Sequence, residues 1–580
     1  MNQYRKISSA VLFFFVLVLA AALNSCATPA PPAVPEAAPA VPEATGEIAQ
    51  ATPQAVPQPP SPPIEEAPPS PQFVPREPEY AEVRPYSSSM NELVVSFSSG
   101  EMELDFRKSY MANEAQFFTA IYEGLFSYHP ITMEPVLAAA SRAVTSEDKK
   151  QWTFTIRENA RFSNGDPVRA EDFMAAWLSL LEPRRNSPYS SLFDIIEGAR
   201  DYRLGRLPAS EVGISAPNAR TLVVRLNSPA AYFPSMLCHH SFSPIHPSML
   251  NNEKWVKPVS NGPFNIEEID DKRILLTKSG SYWDAGRVLL EKLTIRFSED
   301  GEDAAAMWNS GEARWIQGEV NYDALRDLSG IETNVILATH YYFIRSVRKP
   351  WDDYRLRRAL TLALPWEEMR RGYFLPAKTL ILPIQNYPEI EGLDETDVEE
   401  AKALLIEAGY PGGVGLPELV IRITPSPDAE RIALFMARAW YELGIQAKID
   451  RVPYNRYLQS LQLDDYDVGS TTWIADFADP YAFLQMWQRD SNLNEARHDD
   501  SDFEALIEKS MTEEGTERMK TLAAAEELLL ARGNVLPISY NPAVNIVDTY
   551  VIDGWYTNVL DIHPFKYMAI KARPILPGVV

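Results

Sequence analysis

The chain has 580 residues, too many for one hydrophobic core, so two or three domains are expected. With 46% apolar and 23% charged residues it has the composition of a globular protein able to bury a large core. Its formal net charge of −25 repels phosphate backbones and anionic headgroups, which argues against nucleic acid or a polybasic membrane patch as partner, and a solvated acidic surface accounts for most of that charge.

In chain order, Arg5 and Lys6 precede an apolar run from Ala10 to Ala22, and "LNSC" follows at Leu23 to Cys26. A positive start, a short apolar core and small residues before a cleavage point predict a secretory signal over residues 1–25, too short for a stable span. Leu23, Asn24, Ser25 and Cys26 resemble the lipobox of bacterial lipoproteins, with Asn24 where Ala or Ser is usual; an ordinary signal peptide with an accidental cysteine is the alternative. Lipidation of Cys26 would anchor an extracytoplasmic body to a bacterial membrane, periplasmic or at the cell surface. It would also leave Cys238, the only other cysteine, without a disulfide partner. Residues 27–85 hold 18 of the 47 prolines and few residues able to build a core, so residues 26–88 read as a lipidated cysteine and a disordered, partly polyproline-II tether.

The folded body is expected to begin near Asn91–Phe97, a strand. Trp152–Arg157 alternates apolar and polar residues, "SNGDP" at Ser163–Pro167 is a turn, and Ala170–Leu181 is a helix with Arg169 where a hydroxyl cap is expected. Thr396 and Glu399 have capping-box spacing, with Val398, Ala401, Leu405 and Ala408 on one face and Gly409 and Pro411 closing the helix. Glu418–Ile423, Ala429–Leu443 and Ile445–Val452 form a strand-helix-strand unit ended at its helix by Gly444, which implies a right-handed crossover and a mainly parallel sheet. Tyr466–Trp473 is a further strand, so "STTWIADFADPYAFL" at Ser470–Leu484 carries the chain over a strand's carboxyl end, where open α/β sheets bind ligands.

Five stretches in this order carry a family resemblance. They are "IYEGLFSYHPITMEPVLAAA" from Ile121, "WTFTIRENARFSNGDPVRAEDF" from Trp152, "NGPF" from Asn261, "SYWD" from Ser281 and "WDDYRLRRALTLAL" from Trp351. The chain resembles the extracytoplasmic peptide-binding proteins of ABC importers, the oligopeptide- and dipeptide-binding group (family 5), from about Asn91 to Lys571. The resemblance implies an α/β, two-lobed periplasmic-binding-protein fold, class II-like and of cluster C, with a subdomain inserted in the first lobe. On this chain that places lobe I at residues 89–133, 257–343 and 541–580, the insert at 134–256 and lobe II at 344–540. Two strands cross between the lobes near Tyr341–Ser346 and Ser539–Val544. It further implies a monomer without cofactor, a peptide ligand in the cleft, and the permease subunits of an ABC importer as partners.

Burying a peptide's ammonium requires an opposed charge, and the resemblance assigns that role to the acid of a W-x-A-D segment, matched by Trp473, Ala475 and Asp476. Capping of the next helix is the other reading of Asp476, although Asp479 is better placed for that. Trp473 would wall the cleft; Tyr454 and Tyr189 match aromatics near the ligand, and Tyr540 on the second crossing strand could bond ligand backbone, packing being the alternative for each. Leu461 and Ser470 stand where oligopeptide binders carry arginines for the ligand carboxylate, so the peptide's C-terminus would lie in water, meet another cation, or be absent from a non-peptide solute such as a metal chelate, sugar or haem. No G-x-S-x-G, H-E-x-x-H or P-loop motif supports an enzyme, and Cys238-His239-His240 reads as a packed strand end rather than a metal site. A surface lipoprotein acting as chaperone or in signalling is the remaining class.

Overall fold

The computed structural model describes residues 91–571 apart from 99–101, 253, 385 and 464, with Tyr454 and Asn455 described by their backbone alone. The expected signal peptide, Cys26 and the tether lie outside the described residues. Among the described residues no helix is long and apolar enough to cross a membrane.

A ten-stranded sheet organises the body, in the order Ala447–Arg451, Leu419–Ile423, Val468–Ile474, Ile331–Ile344, Val535–Val547, Trp315–Gln317, Glu92–Ser98, Lys292–Ser298, Arg273–Lys278 and Phe264–Ile269. Glu92–Ser98 buries Leu93, Val95 and Phe97, the period of two that a pleated strand requires. It lies parallel to both Lys292–Ser298 and Trp315–Gln317. At the other end, Leu419–Ile423 lies parallel to Ala447–Arg451, joined to it by helix Pro427–Glu442, as the strand-helix-strand pattern predicts. Ser426 starts that helix by accepting from the Ala429 amide, 3.2 Å.

Two long strands connect the halves. Ile331–Ile344 and Val535–Val547 pair antiparallel, but pairing breaks between Val335 and Thr339 and slips again between His340 and Tyr341. Val547 to Asn545 pair outward with Trp315–Gln317 of one half, whereas Ala338 to Ile344 pair with Val468–Ile474 of the other. The change of neighbours therefore falls at Ile336–Ala338 on the first strand, upstream of the Tyr341–Ser346 expected from sequence, because Tyr341–Ile344 are already paired within the second half. On the second strand it falls opposite Ser539–Pro542, inside the expected stretch.

A separate antiparallel sheet, ordered Ala140–Thr145, Gln151–Ile156, Thr221–Arg225, Ile214–Asn218, packs on helix Ala170–Leu180. Arg169 supplies no hydroxyl cap, yet Asp172 accepts from the Arg169 amide at 2.7 Å, keeping half of a capping box. The helix Val398–Glu407 is capped differently from the expected Thr396–Glu399 box. Asp397 accepts from the Glu400 amide at 2.8 Å, and Thr396 donates instead to the Leu364 carbonyl at 2.6 Å.

The "NGPF" turn has a steric cause. Gly262 donates its amide to Ile121 O at 2.9 Å, at the end of helix Ala112–Ile121, and a Cβ at residue 262 would stand 2.4 Å from the Ile121 carbonyl carbon and 2.6 Å from the Tyr122 nitrogen. Asn261 completes the clamp, its side chain donating to Glu123 O and accepting from the Glu123 amide. Both neighbours are backbone and cannot rotate away. Gly262→Ala is therefore expected to destabilise the protein by about 1–3 kcal/mol, the range for overpacked sites, measured by urea unfolding; an unchanged midpoint would remove this account of the glycine.

Candidate functional site

A cavity of about 430 Å³ lies at the crossing strands and takes its wall from both halves. Tyr110–Tyr128, Cys238–His240, Gln317 and Leu560–Lys566 contribute from one side, and His340, Tyr457, Ser470–Asp476, Met486 and Glu495 from the other. It is a size typical of small-molecule and peptide sites.

Strand Val468–Ile474 supplies the longest continuous stretch of wall. Leu419–Ile423 neighbours it only at Val468, so its far edge is unpaired over the rest of its length. Ala475 donates its amide to Leu337 O at 2.8 Å on the ladder side, and Ser470, of opposite parity, donates to the Tyr457 hydroxyl at 2.9 Å on the other. Thr472 and Ile474 share Ser470's parity, so their amides and carbonyls face the cavity edge, where no strand pairs with them.

Beyond the strand, Asp476 enters the cavity with its side chain only 6% exposed. Tyr189 and Gln485 hydrogen-bond it, the Gln485 amide at 3.3 Å. His239 Nε2 stands 3.7 Å from Asp476 Oδ1. Burial drives the His239 pKa down to about 3, so at neutral pH that approach is not an ion pair. With no cation against it, Asp476 is pushed up to about 8 by burial, although both hydrogen bonds oppose the shift. Asp476 caps nothing: Asp479 accepts from the Tyr481 amide at 2.9 Å and is itself held by Arg518 in a bidentate pair, 2.7 and 2.8 Å, with the guanidinium over the Tyr232 ring at 4.1 Å. The acid is thus fixed by its surroundings, hydrogen-bonded but, among the described residues, without a cation against its carboxylate.

The other sequence-expected residues divide. Trp473 and Ala475 line the cavity, Trp473 locked by donating Nε1 to Ala482 O at 2.9 Å. Tyr189 lines it too, edge-on to His239 with centroids 4.5 Å apart. Tyr540 does not. Its hydroxyl bonds Thr379 Oγ1 and donates to Ile381 O at 3.4 Å, on the face covered by the 375–381 segment. The side chain of Tyr454 lies outside the described residues; Tyr457, one turn on, lines the cavity instead. Ser470 is on the wall, but Leu461 is fully buried away from it, its carbonyl accepting from the Tyr466 hydroxyl.

Several wall residues escaped the sequence reading. His239 and His240 sit at a short helical turn, not at a strand end; His239 flanks Asp476 together with Tyr189, and His240 Nε2 meets Ser109 Oγ at 2.9 Å. Cys238 donates weakly to Pro234 O at 3.6 Å, and among the described residues no group of three or more His, Cys, Asp or Glu is arranged to hold a metal. Among the described residues Lys566 is the only lysine or arginine on the wall, and it is committed to Glu123 at 2.8 Å, a carboxylate that also accepts from Tyr282 and Trp283. The Gln317 amide oxygen and Tyr122 hydroxyl are buried wall atoms with no hydrogen-bond partner among the described residues.

Residues 132–495 match the family model described as the middle part of bacterial extracellular solute-binding proteins, family 5. The chain belongs to this family. Among family 5 relatives, the oligopeptide-binding protein OppA of Bacillus subtilis is 30% identical over 448 residues, covering 72% of this chain and 81% of its own. The periplasmic oligopeptide-binding protein OppA of Salmonella typhimurium is 28% identical, covering 71% and 80%. The murein tripeptide binding protein MppA of Escherichia coli superposes with a TM-score of 0.73 at 25% identity, over 83% of this chain and 99% of that one, and its unliganded open form with 0.61. The body described here is thus less similar to that open form. These relatives are binding proteins, and their family is extracellular.

Two outcomes follow from the electrostatics. Arg518→Met leaves Asp479 buried without its counter-charge and is expected to cost about 3–5 kcal/mol in urea unfolding. Asp476 acts in the opposite sense: its folded pKa of about 8 lies above the ordinary 3.8, so its burial is free of penalty below about pH 4 and increasingly destabilising as pH rises toward 8. Ligand-free Asp476→Asn should therefore melt higher than the parent at pH 7.5, with the gap closing toward pH 4. A gap independent of pH would mean that the charge of Asp476 is not what the cavity strains to hold.

Proposed function

We propose that this chain captures peptides between its two lobes, with Asp476 receiving the α-ammonium. The observation that carries the reading is a buried carboxylate facing a cavity with no cation against it, since a buried charge persists at low cost only when paired. A peptide supplies that cation, and its backbone adds to the unpaired edge at Thr472 and Ile474 in the manner of an extra strand, which gives affinity without dependence on side chains. Gln317 and Tyr122 offer further polar contacts to a ligand. Relatives named as oligopeptide-binding proteins support the same assignment.

The lysine on the wall is already bound to Glu123, so the ligand's carboxylate has no counter-charge there and lies outside the cavity, which tolerates peptides of different length. Ligand binding favours the closed arrangement, and closure is what the permease of an ABC importer would sense. Lipidation at Cys26, with a monomeric body displayed at the end of residues 27–88, completes the proposed arrangement of a membrane-tethered importer component.

Native mass spectrometry of the full-length protein, purified without unfolding, tests the ligand class: mixed short peptides are expected to be released on denaturation, and a single non-peptide species would discard the assignment. Titration calorimetry then tests the contact. N-acetylation of a bound peptide, or Asp476→Asn with the free peptide, is expected to weaken binding about thirty- to several-thousand-fold, the equivalent of ~2–5 kcal/mol. Equal affinity of the acetylated and free peptides would remove Asp476 from the ammonium.

A further inference from the structure

Buried acids elsewhere in this body have partners. Glu114 accepts from the amides of Glu103, Tyr110 and Met111, Glu526 from the Ile381 amide and the Tyr387 hydroxyl, and Asp194 is paired with Arg203 at 2.5 Å. Such satisfaction is the rule for buried polar groups.

Glu495, half-buried, differs from these acids. It lines the same cavity as Asp476, from a loop that is built without it. Asn494 holds that loop, its side chain donating to the carbonyls of Gln488 and His498 and accepting from the His498 amide, and Ala496 O receives the Ser346 amide. The Glu495 carboxylate itself makes no hydrogen bond or ion pair among the described residues. The nearest guanidiniums are engaged with other groups: Arg345 donates to Leu463 O at 2.8 Å and lies over the Tyr466 ring at 4.7 Å, and Arg497 donates to Asn494 O and Gln462 O. Burial raises the Glu495 pKa to about 7, with both arginines only partly offsetting it. A carboxylate placed in a cavity wall, with cations nearby but none in contact, has its counter-charge missing.

Resting on the peptide reading above, we infer that Glu495 selects peptides that carry a cationic side chain, lysine or arginine, as a second recognition point beyond the α-ammonium. Asp476 and Glu495 stand on separate segments of the wall, so one ligand can present an ammonium to each. Leu458, Met486 and Leu493 line the same cavity, and Tyr457 is near enough to feel the charge of Glu495. Apolar and aromatic surface leading to an acid matches the methylene stem and charged head of lysine or arginine. An acidic side chain would meet the like charge instead, which disfavours such peptides.

The test uses the full-length protein freed of co-purified ligand, with pentaalanine peptides carrying lysine, or uncharged norleucine of similar length, at each position in turn. Calorimetry is expected to give at least one position where lysine binds about tenfold or more tighter than norleucine, with arginine behaving as lysine does. In Glu495→Gln that ratio should fall to near one, and in Glu495→Asp to an intermediate value. Binding of the whole series with a lysine-to-norleucine ratio near one at every position would overturn the inference and leave the peptide reading standing. A ratio that persists in Glu495→Gln would overturn it too, placing the side-chain cation at Asp476 or elsewhere. Failure of every peptide to bind the parent protein would sink the peptide reading and the inference with it. The scan on the parent protein decides even where a variant does not fold.

Discussion

The structure turns on a carboxylate buried without its counter-charge. An acid taken out of water loses several kcal/mol of solvation that only a well-placed cation restores, and Asp476 has hydrogen bonds from Tyr189 and Gln485 but no cation. Everything around it resists the obvious relief of turning outward. The strand before it is laddered to Ile331–Ile344, Trp473 is tied to Ala482 O, and the loop after it is held by the Asp479–Arg518 pair. Burial is relieved by a proton instead, which is why the Asp476 pKa is pushed up to about 8. In the function proposed, a ligand cation would take the place of that proton, and because the wall comes from both halves the pairing would require the halves to be together. On that proposal, ligand affinity and lobe closure are linked through one free energy.

That coupling needs a connection that bends without breaking. The two crossing strands provide it, since they remain paired within each half but lose their register between Val335 and Thr339. A continuous ladder through the junction would resist rotation with every hydrogen bond it contained; a gap leaves few bonds to reform. Hinges of this kind need only a few residues to absorb the change of direction. The cavity lies at the same place, so the interrupted ladder is adjacent to the cavity wall.

How much of this was legible in the sequence depends on the range of the interaction involved. Periodicity revealed Leu419–Ile423, helix Pro427–Glu442 and the strand leading to Asp476, because local pattern decides whether a segment is helix or strand. The cap of Val398–Glu407 was displaced by one residue, since Thr396 found a distant carbonyl, Leu364 O, that no local rule anticipates. Tyr540 was assigned to the wrong face for a related reason. Side chains on a strand alternate, and nothing within Val535–Val547 says which parity meets the cleft; that is set by the 375–381 segment covering Tyr540. Leu461 points into the core, which its place in the chain does not reveal. His239 and Glu495 carried no local signal at all, being delivered to the wall by loops whose path depends on tertiary contacts.

The charge inventory of the wall gives the site a polarity that composition alone only hints at. Glu123 and Lys566 neutralise each other, Asp561 accepts from Asn545 and His563, and burial keeps His239 and His240 neutral. What remains without a cation is acidic, Asp476 and Glu495, both pushed toward the protonated form by burial. In a chain of net charge −25, the field outside the cleft has the same sign as these acids when ionised, so long-range attraction and short-range pairing favour the same ligands. A peptide's own carboxylate opposes both, and its cheapest position is as far from the cavity as its length permits. The orientation proposed for a bound chain, amino end inward and carboxyl end outward, then asks for no dedicated contact at the carboxyl end, because acids on the wall favour a cation and disfavour a second carboxylate.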